Sequence, residues 1–505
     1  MLTEAALNKL AKDTGRVIFS NSLLKSVALL LLLTAAPLRE AFRVAAFSNG
    51  DIWWHLRMGL WILQSHAIPR NGLFSQNLDS PWIDSSWGFE LLLAAIYKLL
   101  GLRSISALLM FFKFALAAVT FLLAGGWRRN FWGAILLSAV AQYILFGLQP
   151  LPIFFSILFL GIALILLLQC RRQDDARYLY WLPLLFLLWA NLDIQFVNGL
   201  LLLGLYLAAE LTERLLYRFN CSFLSARGTS LGKSAAVAGL SLVATLITPY
   251  SFHLIPEIME TGYSHTQFKF FAEMAALRFR EPQDFVLLLL VMATFLVLGL
   301  QRSRDFFKCA LMIVTVMLAF RVQRDVWCVV LPAIAIIAGA LPEGLSENEL
   351  SKNSMAWRFE KPLALALSLV VILLAMIHIP SDELLLKRAS RSLPIKACNF
   401  IRDNQLPGPL FNSYAWGGFL IWYLPEYPVS IDGRLNLYGN EANEQYFKLI
   451  DGTIRFEQNP SFARARTLLL QQDVGLAKAL TTLPPLRQQF RVAYQDDMAV
   501  VLERQ

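Results

Sequence analysis

Charged side chains are scarce in this 505-residue chain. Asp, Glu, Lys and Arg make up 16% of it, against about 25% in soluble globular proteins. Cysteine is sparse as well, and no two cysteines have the spacing of a CxxC or CxxH motif. The low charge excludes an ordinary soluble domain, and the cysteine spacing indicates neither a zinc site nor a disulfide framework. The five cysteines are at positions 170, 221, 309, 328 and 398.

What the chain does contain is typical of an integral membrane protein. Hydrophobic residues make up 57% of it, with 13 Trp and 36 Phe, and aromatic side chains anchor membrane helices at the headgroup level. The net charge of +9 is interpreted as cytoplasmic loop charge in contact with anionic membrane lipids, not as a nucleic-acid footprint. We therefore expect membrane lipids as partners and no nucleic acid.

Eleven apolar runs are long enough, or nearly so, to cross about 30 Å of hydrocarbon. Lys and Arg fall in the loops on one side if the runs alternate, and that side is predicted to be cytoplasmic. The opposite side receives the large first loop, 39–103, and everything after residue 380. The run at 88–101 contains Glu90 and Lys98 and is predicted to be an interfacial or re-entrant helix, because counting it as a span would spoil this asymmetry. The eleven runs are 17–38, 104–124, 131–148, 151–169, 179–192, 196–215, 230–248, 283–300, 305–320, 325–342 and 361–379.

The end of the chain has a different pattern. From about residue 385 the hydropathy drops, and short apolar runs alternate with helical patterns. Such alternation predicts a small α/β domain. The sequence thus predicts a polytopic α-helical region, 1–380, followed by an extracytoplasmic α/β domain, 381–505, called the tail below. Strands are expected at 409–411, 429–431, 467–470 and 498–502, and helices at 392–404, 441–450 and 474–482.

The most informative motif opens at Asp51, in the stretch Asp-Ile-Trp-Trp-His-Leu-Arg directly after the first apolar run. Charged groups beside a membrane cost free energy unless they face water, a partner or a substrate. Asp51 and His55 are four residues apart, so on a helix they share one face. We predict that both are catalytic and that Arg57 binds substrate. A helix N-cap for Asp51 and a structural hydrogen bond for His55 are open alternatives.

Three further polar residues lie at predicted outer ends of spans. Asp193 ends the fifth run, where an acid is expensive without a purpose. Arg321 and Arg324 occupy a short outer turn, and guanidinium groups grip phosphate bidentately. All three are predicted to bind substrate. A salt bridge to a loop arginine is the alternative for Asp193, and contact with lipid phosphate or with the tail is the alternative for the two arginines.

The tail carries two candidate binding loops. Tyr414 and Trp416 precede a Gly-Gly pair, interpreted as a strand end, a glycine turn and a helix start. About fifteen residues later, Asp432 and Arg434 flank a glycine after a predicted strand. Strand ends are where α/β domains place binding groups, so all four side chains are predicted to bind substrate near Asp51. The alternative is that Asp432 and Arg434 pair with each other and only fix a turn.

These motifs resemble those of a known superfamily. The Asp51 motif, followed by Pro69-Arg70-Asn71, resembles the first outer loop of catalytic oligosaccharyltransferase subunits, which belong to the GT-C superfamily of membrane glycosyltransferases. That family carries a Trp-Trp-Asp-Tyr-Gly motif where this chain has Tyr414–Gly418. The chain is also similar to a bacterial GT-C-like group that shares the Asp-x-Trp-Trp-His-Leu loop, a span ending in Asn-Leu-His (here Asn191-Leu192-Asp193), and a Trp-Gly-Gly followed by Asp-Gly-Arg.

The resemblance implies specific roles. Asp51 would be the catalytic or metal-binding acid, and Glu273 the second acid of a site for magnesium or manganese. Two departures speak against a metal and against an Asn-linked peptide acceptor. Gln149-Pro150 stands where the family has paired acids, and Ala415 stands where the tail motif has its acid.

The function expected is that of an inverting glycosyltransferase in a bacterial inner membrane. It would move a sugar from a polyprenyl-phosphate-linked donor to an extracytoplasmic glycan, lipid or protein. Asp51 would act as general base, and Arg321 or Arg324 would neutralise the leaving phosphate. The rivals are a non-catalytic GT-C-like assembly factor and a transporter or flippase of lipid-linked glycans. A transporter would place its acids and arginines near the bilayer midplane, whereas these lie at the outer ends of spans.

Overall fold

A computed structural model describes residues 23–41, 45–128, 130–218, 230–263, 265–342 and 355–505. Every apolar run predicted to cross the membrane is helical over most of its length, although residues 17–22 of the first run lie outside the described residues. The helices of the first 380 residues are α1 (23–41), α2 (Asp51–Ser65), α3 (Trp87–Leu100), α4 (Arg103–Leu123), α5 (Phe131–Ile144), α6 (Ile153–Gln173), α7 (Leu182–Ala190), α8 (Phe196–Arg218), α9 (Leu231–Thr245), α10 (Leu254–Tyr263), α11 (His265–Phe270), α12 (Pro282–Leu300), α13 (Phe306–Arg321), α14 (Trp327–Ala340) and α15 (Met355–Ile377).

Five helical stretches of the described chain are long and apolar enough to cross a membrane. A sixth is added if Pro362–Ile377 and the following short helix, which meet at a bend of 79°, form one broken span. Three more apolar helices are shorter. Several helices that could cross a membrane are therefore present, as predicted, and the count of eleven spans stays a prediction. The five are α4, α6, α8, α12 and Gln323–Ala340, which includes α14.

Helices α2 and α3 form the scaffold of the first loop. Asp51 stands in the first turn of α2, where a negative charge complements the helix dipole. The two helices approach closely at Gly59, where any Cβ would overlap the backbone carbonyl of Glu90. Helix α3 covers the run at 88–101, as predicted, and it buries Phe89 and Leu93 together with Glu90. A carboxyl group is thus locked into the contact between the two helices.

The tail contains a four-stranded sheet in the order β1-β2-β4-β3. Strands β1 and β2 are parallel, and the other neighbours are antiparallel. The side chains of β2 alternate: Leu469 packs toward the core of the helical region, whereas Leu468 and Leu470 pack into a second core formed within the tail. The sheet is therefore covered on both faces, which confirms an α/β arrangement. The elements are α16 (Asp382–Ala389), α17 (Ile395–Asp403), β1 (Leu410–Asn412), α18 (Tyr414–Tyr423), α19 (Leu435–Ile450), α20 (Pro460–Arg464), β2 (Thr467–Gln471), α21 (Gly475–Thr482), α22 (Pro484–Arg487), β3 (Phe490–Gln495) and β4 (Ala499–Arg504).

Two sequence expectations for the tail were wrong, and one strand was missed. The run 429–431 is not a strand; only Val429 makes a bridge, and its partner is Ser75 of the first loop. Strand β3 escaped prediction because its sequence, Phe-Arg-Val-Ala-Tyr-Gln, lies largely at the surface and lacks a buried apolar run. The Gly-Gly pair 417–418 is not a turn but part of helix α18.

The tail docks directly on the first loop. The backbone N–H of Val429 donates to the carbonyl of Phe74 at 3.1 Å, and the N–H of Gln76 donates back to the carbonyl of Val429 at 2.9 Å. Nearby, the ring of Trp53 on α2 packs against Trp422 of α18, with centroids 4.7 Å apart. These contacts place the tail loops directly beside the start of α2.

Candidate functional site

A cavity of about 670 Å³ lies where the first loop, the tail and the ends of several helices meet. One part of its lining is apolar and comes from the turn between α5 and α6. The rest is rich in carboxyl and amide groups, with the aromatic rings of Trp54, Trp82 and Tyr414 among them. The apolar lining includes Ile144, Leu145, Phe146, Leu148, Leu151 and Ile153, and the acidic lining comprises Asp51, Asp84, Asp193, Glu257, Glu273, Glu281 and Asp284.

Asp51 is half-buried at the cavity wall. Its carboxylate accepts a hydrogen bond from the Trp54 indole at 3.2 Å, and the N-cap of α2 is Gly50, not Asp51. The polar side chain before it, Asn49, instead accepts from the backbone N–H of Asp51 at 2.7 Å. Shielding from water, and then the negative charge of Glu273, raise the pKa of Asp51 to about 6, although the Trp54 hydrogen bond opposes this rise.

Glycines explain why the two tail motifs lie against Asp51. A Cβ at Gly433 would overlap the Asp51 carboxylate, and one at Gly418 would overlap the carbonyl of Gly50. A Cβ at Gly417 would in turn overlap the carbonyl of Ile431. Only residues without a Cβ allow backbones to approach this closely. The Trp-Gly-Gly helix and the Asp-Gly-Arg loop are thus shaped to close over the first turn of α2.

Asp432 and Arg434 form a buried bidentate ion pair. The Arg434 Nε and Nη2 donate to the two carboxylate oxygens of Asp432 at 2.9 and 2.8 Å, and Tyr438 donates to the same carboxylate at 2.6 Å. Burial would raise the pKa of Asp432, but the charge and hydrogen bonds of Arg434 outweigh burial and lower it. Arg434 also donates to the carbonyl of Leu73 at 2.8 Å, which ties the tail to the first loop. The ion pair that was the alternative prediction for these two residues is therefore present. Arg434 in addition lines the cavity, with its guanidinium 5.1 Å from the Trp82 ring.

The two tail aromatics have different surroundings. Tyr414 lines the cavity and packs against Phe271, with centroids 5.2 Å apart. Trp416 is 2% exposed, its indole donates to the carbonyl of Ser392 at 3.3 Å, and it does not line the cavity. The structure therefore brings Tyr414 to Asp51 and places Trp416 in the core.

His55 lines the cavity behind Asp51 and is held by a buried carboxyl. Its Nδ1 lies 2.9 Å from Oε1 of Glu90, and both side chains are shielded from solvent. Its ring stacks on Trp54 with centroids 3.6 Å apart. Burial lowers the pKa of His55 well below its ordinary value. Burial and the neighbouring Asp84 raise the pKa of Glu90 well above its usual range. The structural hydrogen bond expected as an alternative for His55 is present.

Asp193 and Arg324 line another part of the cavity. The Asp193 carboxylate accepts a hydrogen bond from the Ser156 hydroxyl, which in turn accepts from the Trp189 indole at 2.6 Å. Burial raises the pKa of Asp193 to about 6, against the opposing influence of the Ser156 hydrogen bond and of the Arg324 charge. Arg324 lies 4.0 Å from Asp325, too far for a hydrogen bond.

Four predicted binding residues do not line the cavity: Trp416 and Asp432, described above, and also Arg57 and Arg321. Arg57 lies with its guanidinium 5.2 Å from the Phe74 ring. Arg321 is exposed and lies 5.2 Å from the ring of Phe268. Both are therefore placed outside the group that the fold assembles around Asp51.

The metal site that the resemblance implies would be held by carboxylate groups at the cavity. Asp51 and Glu273 both line the cavity, as the resemblance implied. Among the described residues, however, no group of three or more His, Cys, Asp or Glu could hold a metal ion. Magnesium requires about six oxygen ligands in octahedral geometry, and two carboxylates supply few of them. The residues described do not fit a resident magnesium or manganese centre.

Several lining residues were missed by sequence reasoning. Asp84, Trp82 and Asn436 belong to the cavity, and Trp82 donates to the Asn436 side chain at 3.2 Å across the junction of first loop and tail. Glu90 had a recognisable signal, because it is an acid within an apolar helical run. Asn436 and Trp82 had none, since their meeting depends on how the tail docks.

No known sequence family and no curated protein sequence matches the chain. Its fold, by contrast, matches solved structures. The crystal structure of the Archaeoglobus fulgidus oligosaccharyltransferase tethered with an acceptor peptide containing the NVT sequon superposes with a TM-score of 0.51 and 12% identity, covering 95% of this chain and 73% of that one. Two other structures from the same organism each give a TM-score of 0.48 and 12% identity, covering 94% of this chain and 72% of theirs: the oligosaccharyltransferase AglB with an inhibitory peptide and a dolichol-phosphate, and the apo form. The chain thus shares its fold with the Archaeoglobus fulgidus oligosaccharyltransferase, a protein of the kind that its motifs resemble.

Proposed function

We propose that this protein is a membrane glycosyltransferase that transfers a sugar from a polyprenyl-phosphate-linked donor to an acceptor bound in the cavity. The observation that carries the proposal is the Asp51 carboxylate, held at the wall of a large cavity by glycines of the tail. The fold agrees, since it is shared with an oligosaccharyltransferase crystallised with an acceptor peptide.

The two kinds of lining suit an amphiphilic donor. The apolar turn between α5 and α6 joins helices that lie among the apolar helices of the chain, so a polyprenyl chain would pack there. The sugar and phosphate would lie among the carboxyl, amide and aromatic groups. Pockets of this kind, with apolar walls and a few convergent polar groups, are the usual form of ligand sites.

Asp51 would act as general base. It would remove the proton from the acceptor nucleophile as that group attacks the anomeric carbon, while the bond from that carbon to the phosphate oxygen breaks on the opposite face. The configuration would invert, and the polyprenyl phosphate would leave with the bonding electrons. A pKa of about 6 leaves Asp51 ionised at neutral pH yet more basic than an ordinary aspartate, which favours proton abstraction.

Arg324 is the better candidate for the leaving phosphate, because it lines the cavity and Arg321 does not. Positive charge at a departing phosphate stabilises the transition state electrostatically. Arg434 is already neutralised by Asp432, so its role would be to hold the tail loop in place.

We also propose the orientation that the Lys and Arg distribution predicts, with the site and the tail outside a bacterial cytoplasmic membrane. The donor then reaches the cavity from the outer leaflet. Glycan, lipid and protein remain the candidate acceptor classes.

The decisive experiment compares wild type with Asp51→Asn in cells lacking the endogenous gene. Mass spectrometry of co-purifying and whole-membrane lipid-linked glycans would identify the donor, which should accumulate in the variant. With that donor, turnover by purified Asp51→Asn should fall by about 10²–10⁴-fold, the usual contribution of a general base. Asp79→Asn is a matched control, because Asp79 is an exposed acid of the same loop outside the cavity.

Three outcomes would contradict the proposal. Wild-type turnover by the Asn variant would reduce Asp51 to a structural residue. A lipid-linked glycan bound but never transferred by either protein would indicate a non-catalytic assembly factor. Movement of that glycan across proteoliposome membranes without a new covalent bond would indicate a transporter.

A further inference from the structure

Behind Asp51 lies a trio of side chains that the proposed reaction does not use: His55, Glu90 and Asp84. Glu90 is 0% exposed and Asp84 is 1% exposed. Glu90 Oε1 lies 2.9 Å from His55 Nδ1, and one oxygen of each carboxyl has no hydrogen-bond partner. In the part of the chain that the structure describes, no Lys or Arg nitrogen lies within 4 Å of either carboxyl.

Burial of this kind favours a pair without net charge. A buried carboxylate with no cation in contact costs several kcal/mol, and a second carboxyl next to it increases that cost. Glu90 therefore keeps a proton, for which His55 and Asp84 compete. Oε1 is the Glu90 oxygen that has a partner at hydrogen-bond distance, whereas Oε2 has none, so the proton is placed on Oε1 and donates to Nδ1 of His55. The hydrogen of a neutral imidazole must then be on Nε2. The ion-paired arrangement, with imidazolium and carboxylate, also leaves a hydrogen on Nε2.

Charged side chains from two other parts of the fold act on this pair. On the loop before α3, Asp84 favours a protonated Glu90. From the tail, the guanidinium of Arg434 opposes that effect and also disfavours an imidazolium at His55. Because Arg434 is paired with Asp432, burial and Asp84 prevail. His55 and Glu90 are thus held as a neutral pair, and burial raises the pKa of Asp84 as well.

The ring of His55 is fixed in place. It stacks on Trp54 and meets Phe89 edge to face, with centroids 3.6 and 5.3 Å apart. With Nδ1 occupied, Nε2 is the free ring nitrogen of a side chain that lines the cavity. Among the described residues it has no hydrogen-bond partner, so a bound molecule is available to satisfy it.

We propose that Glu90 is a positioning residue that fixes His55 as a hydrogen-bond donor, with its Nε2–H presented to an oxygen atom of a substrate in the cavity. His55 then binds substrate and does not compete with Asp51 for the proton. The group it contacts must be an acceptor, such as a phosphate or hydroxyl oxygen. The kinetic part of this inference rests on the proposed transferase activity; the tautomer of His55 does not.

The test compares Glu90→Gln with Glu90→Leu. The Gln amide N–H can donate to Nδ1 as the protonated carboxyl does, so this variant should keep kcat/KM and its pH profile close to wild type. Leu cannot donate, so His55 loses its fixed tautomer, and kcat/KM should fall by about 10²–10³-fold, as when a preorganised donor is lost. Wild-type kcat/KM and an unchanged pH profile in Glu90→Leu would contradict a positioning role for Glu90.

Nitrogen NMR of ¹⁵N-histidine-labelled protein provides a readout independent of activity. The chain has five histidines, and the His55 signals are assigned by their loss in His55→Gln. At neutral pH we expect a hydrogen on Nε2 in both wild type and Glu90→Gln. A wild-type His55 with the hydrogen on Nδ1 alone would overturn the proposal. If Glu90→Leu does not fold, the NMR result and the Glu90→Gln kinetics still decide. If the protein has no transferase activity, the NMR determination of the His55 tautomer decides alone whether the proposal holds.

Discussion

Asp51 and Asp193 face the same cavity and share a pKa raised to about 6, yet their surroundings differ. Asp51 is crowded by glycine backbones and is close enough to Glu273 to be affected by its negative charge. Asp193 lies between helices α7 and α8, where its carboxylate accepts a hydrogen bond from the Ser156 hydroxyl and is close enough to Arg324 to be affected by its positive charge. Burial is the main cause of the raised pKa of both acids; negative neighbours add to it at Asp51, whereas the Ser156 hydrogen bond and the Arg324 charge oppose it at Asp193. The first environment suits proton transfer and the second suits binding.

The largest expected effect is that substitution of Asp51 lowers kcat, whereas substitution of Asp193 raises KM. Asp51→Asn should lower kcat by about 10²–10⁴-fold, because it removes the base and keeps the shape. Asp193→Asn should mainly raise KM, by about tenfold, because an interaction made in both ground and transition states is weakened. Steady-state kinetics with the identified donor would measure both. Equal losses of kcat in the two variants would end the distinction.

A second prediction addresses the glycine contact that shapes the Asp51 side. Gly433→Ala places a Cβ on the Asp51 carboxylate, so the carboxylate or the tail loop must shift. A displacement of about 1 Å in a catalytic group can cost about 10²-fold in rate, and we expect a loss of that order in kcat/KM. Gly299→Ala is the control, since nothing lies within 4 Å of its added Cβ. Wild-type activity in Gly433→Ala would show that Asp51 does not require its observed position.

The helices and the Asp51 motif could be predicted from sequence because their signals are local. Apolar runs long enough for spans became helices, and an acid beside aromatic residues marked the cavity. The contact between His55 and Glu90 joins residues 35 positions apart, and the approach of Gly433 to Asp51 depends on how the tail docks. Neither is encoded in periodicity. Arg57 and Arg321 were misplaced for the same reason, since position in a loop does not determine which way a long side chain points.

The pH dependence of the rate follows from the Asp51 environment. A general base must be ionised, so kcat/KM should be constant above a pH of about 6 and fall below it, by about tenfold per pH unit. His55, whose pKa burial lowers, should not add a second limb near neutrality. A rate that rises as pH falls through this range would assign Asp51 to the role of an acid. In Glu273→Gln, which removes a negative neighbour of Asp51, the fall in kcat/KM should begin at a lower pH.

The smallest expected effect concerns stability, and here the two acids should behave alike. The folded pKa of Asp51 lies above its ordinary value of 3.8, so the folded state binds the proton more tightly than the unfolded state does. Stability is then highest when the group is protonated and falls as pH rises from about 4 to about 6, with a total loss of about 1–3 kcal/mol. Asp51→Asn cannot ionise and should be the more stable protein at pH 7 by that order, with the difference vanishing near pH 4. Thermal unfolding in detergent at both pH values, followed by tryptophan fluorescence, would measure the gap. The same gap is expected for Asp193→Asn, and Asp79→Asn, at the surface of the first loop, is the control variant. The opposite result would be an Asn variant that is less stable than wild type at pH 7 and loses this deficit at pH 4. It would mean that the ionised carboxylate stabilises the fold at that position.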